Sequence, residues 1–85
     1  MYKIIFKKSA EKEILKLPSA AVKRISQEID KLASNPRPAG SKKLEGKKES
    51  LWRIRIGDYR VIYLIEDVIK VVEIRRISHR KDIYK

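Results

Sequence analysis

Three arginines carry the clearest chemical signal in this chain. Arg53, Arg55 and Arg60 lie within WRIRIGDYRVIY, on either side of a Gly57-Asp58 pair. A guanidinium offers a planar fork of donors that matches phosphate, and it stays protonated at any ordinary pH. Arg75, His79 and Arg80 follow near the C-terminus, and Tyr84 lies one residue from the end. This set can hold a phosphodiester and steady the charge that develops on its oxygens. An imidazole can move a proton near neutral pH, which makes His79 a candidate acid or base. The plainer reading of His79 is a surface side chain contacting phosphate or water. Tyr84 likewise has two readings, a ring docked on a sheet edge or a phenol held beside the arginines.

Composition limits the alternatives. Lys and Arg number 22 against 11 Asp and Glu, a net charge of +11. Such an excess opposes compaction and is relieved by a polyanion, with nucleic acid first and an anionic membrane surface second. No stretch reaches the roughly 18 apolar residues needed to span a bilayer. MYKIIFKKSA has too short an apolar part for a signal peptide, so a cytoplasmic location is expected. Cysteine is absent and histidine occurs once, which excludes thiol nucleophiles, disulfides and His/Cys metal sites. No cofactor is expected. At 85 residues the chain is read as one domain, 1–85, with no room for a large enclosed pocket.

The elements that must position the arginines follow from periodicity. Tyr2 to Phe6 reads as a strand. Ser9 is placed to cap a helix carrying Ala10, Ile14 and Leu17, and Pro18 ends it. Ser19 is placed to cap a longer helix with Val22, Ile25, Ile29 and Leu32 on one stripe, which Asn35-Pro36 stops. Residues 37 to 48 are loop-like, with a short strand near Leu44. Lys42, Lys43, Lys47 and Lys48 make this loop basic. It is either a solvated run or a track for a nucleic-acid backbone. From Leu51 on the pattern is β. Gly57-Asp58 is a type II′ turn signal, Tyr59 to Ile65 returns, Glu66-Asp67 turns, and Val68 to Ile77 is the last strand. The expected fold is α+β: strand–helix–helix, then an antiparallel meander. The sheet has about four strands, and the two N-terminal helices pack on one face.

The hairpin register can be worked out. A two-residue turn pairs Ile56 with Tyr59, Arg55 with Arg60, Ile54 with Val61 and Arg53 with Ile62. Alternation then puts Trp52, Ile54, Ile56, Tyr59, Val61 and Tyr63 on the core face and all three arginines on the other. Arg55 opposite Arg60 is a like-charge cross-strand pair, which is unfavourable unless an anion sits between them. A solvated face with splayed side chains is the alternative. A turn at Glu66-Asp67 would set Glu73 opposite Arg60, with Arg75 on the same face.

NPRPAGSKKLEG, WRIRIGDYRVIY and ISHRKDIY, with the strand–helix–helix opening, resemble the RelE/ParE toxin superfamily over essentially the whole chain. Within it the resemblance is to the RelE-type mRNA interferases. It implies a four-stranded antiparallel sheet, an antitoxin partner with which the toxin forms an oligomer, and ribosome-dependent cleavage of mRNA in the A site. In that reaction the ribose 2′-hydroxyl attacks the adjacent phosphorus, and no metal is required. The resemblance assigns Arg60, Arg80, Tyr84 and His79 to catalysis. It matches Arg53 and Arg55 to the family's basic sheet residues, which hold RNA phosphate; register adds Arg75, and charge adds the lysines at 42, 43, 47 and 48, as further phosphate-binding candidates. Two of these positions, 53 and 55, are lysine in the best-studied type of member. The alternatives are a ParE-like inhibitor of DNA gyrase and a non-catalytic RNA- or ribosome-binding module.

Overall fold

The computed structural model describes residues 1–46 and 48–83. Its elements are β1 (Lys3–Phe6), α1 (Lys8–Leu15), α2 (Ser19–Lys31), β2 (Lys42–Lys43), β3 (Leu51–Ile56), β4 (Tyr59–Glu66), β5 (Val71–His79) and α3 (Arg80–Ile83). They form a five-stranded sheet in the order β1-β5-β4-β3-β2. The α+β class is as expected, but the sheet has one strand more than four. The addition is β2, which falls at Lys42–Lys43 and pairs antiparallel with β3. The sheet is also mixed, because β1 runs parallel to β5, Lys3 beside Val71 through Phe6 beside Ile74.

Both helices begin differently from the expectation. α1 starts at Lys8, and the Ser9 hydroxyl instead donates to the Arg75 carbonyl (3.2 Å). That bond ties the helix to β5 instead of capping it. α2 starts at Ser19 itself, with Pro18 at the capping position and no side-chain cap. Pro18 enters with extended backbone, which suits the residue before a first helical turn.

α1 lies on β5 and α2 on β3. Ala10, Ile25, Ile29 and Leu32 from the helical half meet Ile54, Ile56, Val61, Tyr63, Ile65, Val72, Ile74 and Ile77 from the sheet, all buried. Ala21, not Val22, packs at the start of the α2 stripe. Trp52 and Tyr59 border the core as part-buried rings, on the face the alternation assigned them. Each fully buried Ile or Leu contributes about 1.5–3 kcal/mol, so this single layer carries most of the fold's stability.

At the β4–β5 connection the expected two-residue turn is replaced by Asp67–Lys70, and Glu66 pairs with Val71. A bulge between Ile62 and Tyr63 shifts the ladder once more. Arg60 therefore faces Ser78, and Glu73 faces Leu64. The carboxylate expected beside Arg60 is withdrawn from it by these two irregularities.

Candidate nucleic-acid interface

The β3–β4 hairpin has the predicted register, with Arg55 and Arg60 as cross-strand partners and Arg53 beside Ile62. The turn that sets it has a positive φ at Gly57 (59°) and none at Asp58, as type II′ requires. Burial separates the three arginines. Arg55 is exposed and Arg60 is half-buried. Arg53 is only 9% exposed, and burial pulls its pKa down, helped by the charges of Arg55 and Arg60. The Arg60 Nε is buried with no hydrogen-bond partner among the described residues. A buried, charged donor without an acceptor is costly, and such atoms are few in native proteins.

The C-terminal segment is brought to the same hairpin by β5. Tyr59 pairs with His79, and their rings meet edge to face at 5.1 Å between centroids. The Arg80 amide donates to the Asp58 carbonyl at 2.7 Å, pinning the start of α3 to the β3–β4 turn. The Arg80 guanidinium lies 3.7 Å from the Asp58 carboxylate, with both side chains largely exposed, so this pair is weak. A cleft of about 520 Å³ opens between these parts, lined by Arg55, Gly57, Asp58, Tyr59, Arg60, Arg80 and Lys81. Four cations face it with a single carboxylate. The arrangement can take a phosphodiester with guanidiniums on more than one side.

Other expected members lie elsewhere. His79 does not line the cleft, and its Nδ1 accepts from the Lys81 amide (3.1 Å), which leaves only Nε2 for a ligand. Arg75 falls at the bulge, where its guanidinium is taken by Glu49 (2.9 Å) and Glu73. Hydrogen bonding to Glu49 is the main reason its pKa is raised, and the same contact lowers that of Glu49. Lys42 and Lys43 are exposed on β2, Lys42 beside Arg53, and Lys48 is exposed in the following loop. Lys47 and Tyr84 lie outside the described residues.

Sequence reasoning missed two features. Asp58 fixes Arg80 through its backbone, which no residue type signals in advance. Lys81 enters the cleft only because α3 turns directly after His79. At the far end of the sheet, Asp67 accepts from the Tyr2 hydroxyl (2.6 Å) and from Arg37 through two nitrogens (2.8 and 3.3 Å). The Arg37 bond, then the Tyr2 bond, hold the Asp67 pKa down to about 2. Arg37 also lies over the Trp52 ring, 5.2 Å from its centroid.

Residues 4–84 match the family model described as the ParE toxin of type II toxin-antitoxin systems, parDE. The chain belongs to the RelE/ParE toxin superfamily. Its relatives place it on the RelE side. It is 35% identical over 77 residues to a Methanocaldococcus jannaschii protein assigned as toxin RelE1, covering 87% of this chain and 84% of that one. The archaeal RelE-RelB complex from Pyrococcus horikoshii OT3 matches with a TM-score of 0.83 at 35% identity, over 93% of this chain and 94% of that one. The isolated RelE toxin of E. coli matches at 0.81 and 25% identity, over 99% and 92%. The chain is thus a RelE-type toxin, and its pinned hairpin and the start of α3 form a basic cleft.

Proposed function

We propose that this RelE-type toxin is an endoribonuclease that cuts mRNA in the ribosomal A site and is held inactive by an antitoxin. The observation that carries the reading is the Arg60 Nε, buried without an acceptor in a hairpin whose cations outnumber its carboxylates. A phosphate in the cleft would neutralise this guanidinium and screen Arg55 from Arg60.

The reaction needs no added co-reactant. The ribose 2′-oxygen attacks the adjacent phosphorus, its proton passes to a base, and the bond to the 5′-oxygen breaks. The products are a 2′,3′-cyclic phosphate and a 5′-hydroxyl that has taken up a proton. Arg60 and Arg80 would stabilise the charge on the phosphate oxygens, with Arg55 and the buried Arg53 adding to the field. Arg53 is the more effective for being buried, since a charge removed from water acts through a lower dielectric. Tyr84 is assigned the 2′-proton. His79, packed edge-on against Tyr59 and accepting from the Lys81 amide, would help position the start of α3, and its Nε2 stays available to a ligand. In-line geometry must come from positioning, which the pinned Arg80 and the rigid hairpin supply.

The antitoxin partner follows from the family and from the RelE-RelB complexes among the relatives. Acidic residues of that partner would cover the same arginines. The test is primer extension on mRNA in a reconstituted translation reaction. Cuts within codons that depend on ribosomes, and that weaken in Arg60→Gln, Arg80→Ala and Tyr84→Phe, are expected. The parDE description of the family model favours one other reading, a gyrase inhibitor. Loss of DNA supercoiling without any cleavage would establish it instead.

A further inference from the structure

Next to the cleft, on the other side of Arg55, lies a second and smaller groove of about 270 Å³. Its walls come from α2 (Arg24, Glu28, Lys31), from Pro38 and Ala39, and from the end of β3. Arg55 and Gly57 line both grooves, so the two are continuous around the β3–β4 turn. β2 ends at the pairing of Lys42 with Arg53, and the edge of β3 beyond it is open to this groove. Arg24 is seated at the junction. A Cβ placed on Gly57 would lie 2.7 Å from the Arg24 Nη1, so the guanidinium rests directly against the turn. Glu28 is the one carboxylate in the groove, and Lys31 engages it at 3.4 Å. Among the described residues Arg24 and Arg55 have no carboxylate within ion-pair distance.

We infer that this groove is a second RNA-backbone subsite, in which Arg24 binds a phosphodiester next to the one held by Arg55, Arg60 and Arg80. The inference rests on the RNA-cleaving reading above. Two unpaired guanidiniums on a continuous track suit successive phosphates of one strand, which also explains why helix α2 carries positive charge at the turn. A peptide strand added to the β3 edge fits less well. Only Ile54 to Ile56 are free to pair, and strand addition draws its affinity from a longer run of main-chain bonds. The phosphate could belong to the mRNA beside the cut codon or to ribosomal RNA facing it.

The test is single-turnover cleavage on ribosomes programmed with two mRNAs, one extending beyond the A-site codon and one ending at it, as a function of toxin concentration. Arg24→Gln is expected to raise the half-saturating concentration about three- to tenfold, with an unchanged maximal rate and a shallower salt dependence. Arg24→Lys should restore most of the loss. A loss confined to the longer mRNA assigns the phosphate to the message, and an equal loss on both assigns it to ribosomal RNA. An unchanged half-saturation on both mRNAs overturns the subsite. So does a fall in maximal rate alone that Arg24→Lys fails to rescue, since Arg24 then only props the turn. Weaker antitoxin binding with cleavage unaffected overturns it in favour of a protein contact. Arg60→Gln run alongside separates the two levels. If Arg60→Gln cleaves like wild type, the underlying nuclease site is wrong and not merely its extension.

Discussion

The two ends of the sheet hold similar numbers of charged groups and treat them in opposite ways. At the Asp67–Lys70 end, Arg37 and Tyr2 converge on Asp67, and midway along β5 Arg75 is shared by Glu49 and Glu73. At the Gly57-Asp58 end, Arg53, Arg55 and Arg60 crowd together, and the Arg60 Nε is left without a partner. One end uses charge to hold the chain's distant segments together. The other leaves its charge without local compensation among the described residues. The difference teaches that net charge alone does not locate a binding surface; absence of local compensation does.

The sharpest way to break this contrast is Arg60→Gln. Removing a guanidinium aimed at developing phosphate charge should lower the cleavage rate about 10²- to 10³-fold. The melting temperature should stay level or rise, because a repelled and unpartnered cation is gone. A marked fall in melting temperature would mean that Arg60 is structural. At the opposite end, Tyr63 donates to the buried Pro36 carbonyl at 2.7 Å. Tyr63→Phe strands that acceptor and should destabilise the fold by about 1–3 kcal/mol in urea unfolding, with cleavage per folded molecule unchanged.

Arg55→Glu should act in the reverse sense. It turns a repulsive cross-strand pair into an attractive one, so stability should rise by about 0.2–1 kcal/mol while RNA binding weakens. Equal or lower stability would show that the arginines are already splayed apart. The smallest effect is expected from Asp67→Asn at neutral pH. The Asp67 pKa is lowered from 3.8 to about 2, so its contribution is complete above 3.8 and is lost as pH falls through about 2. Acid titration of stability should be flatter for Asp67→Asn within that window, and identical curves would discount the Arg37–Asp67–Tyr2 clamp.

The Gly57-Asp58 end was legible in the sequence because local rules fix it. Gly57-Asp58 dictates the turn, the turn dictates the register, and alternation then sorts Arg53, Arg55 and Arg60 to one face. The other end was not legible, for equally physical reasons. Glu66 continues β4 where a turn was expected, and the bulge after Ile62 has no residue-type signature. Those two features moved Glu73 away from Arg60 and placed Arg75 between two carboxylates. The contacts of Asp67 join residues 65 and 30 positions away, beyond any periodicity. The caps expected at Ser9 and Ser19 failed because Ser9 serves β5 and the chain enters α2 through Pro18.

The parallel pairing of β1 with β5 carries a consequence for the toxin's own folding. Lys3 must wait for Val71, far along the chain, before β1 can join the sheet. Loop closure over nearly the whole chain comes before the contacts that reward it. The basic cleft has its own dependence on order, since Arg80 and Lys81 can join Arg55 and Arg60 only once β5 has been made.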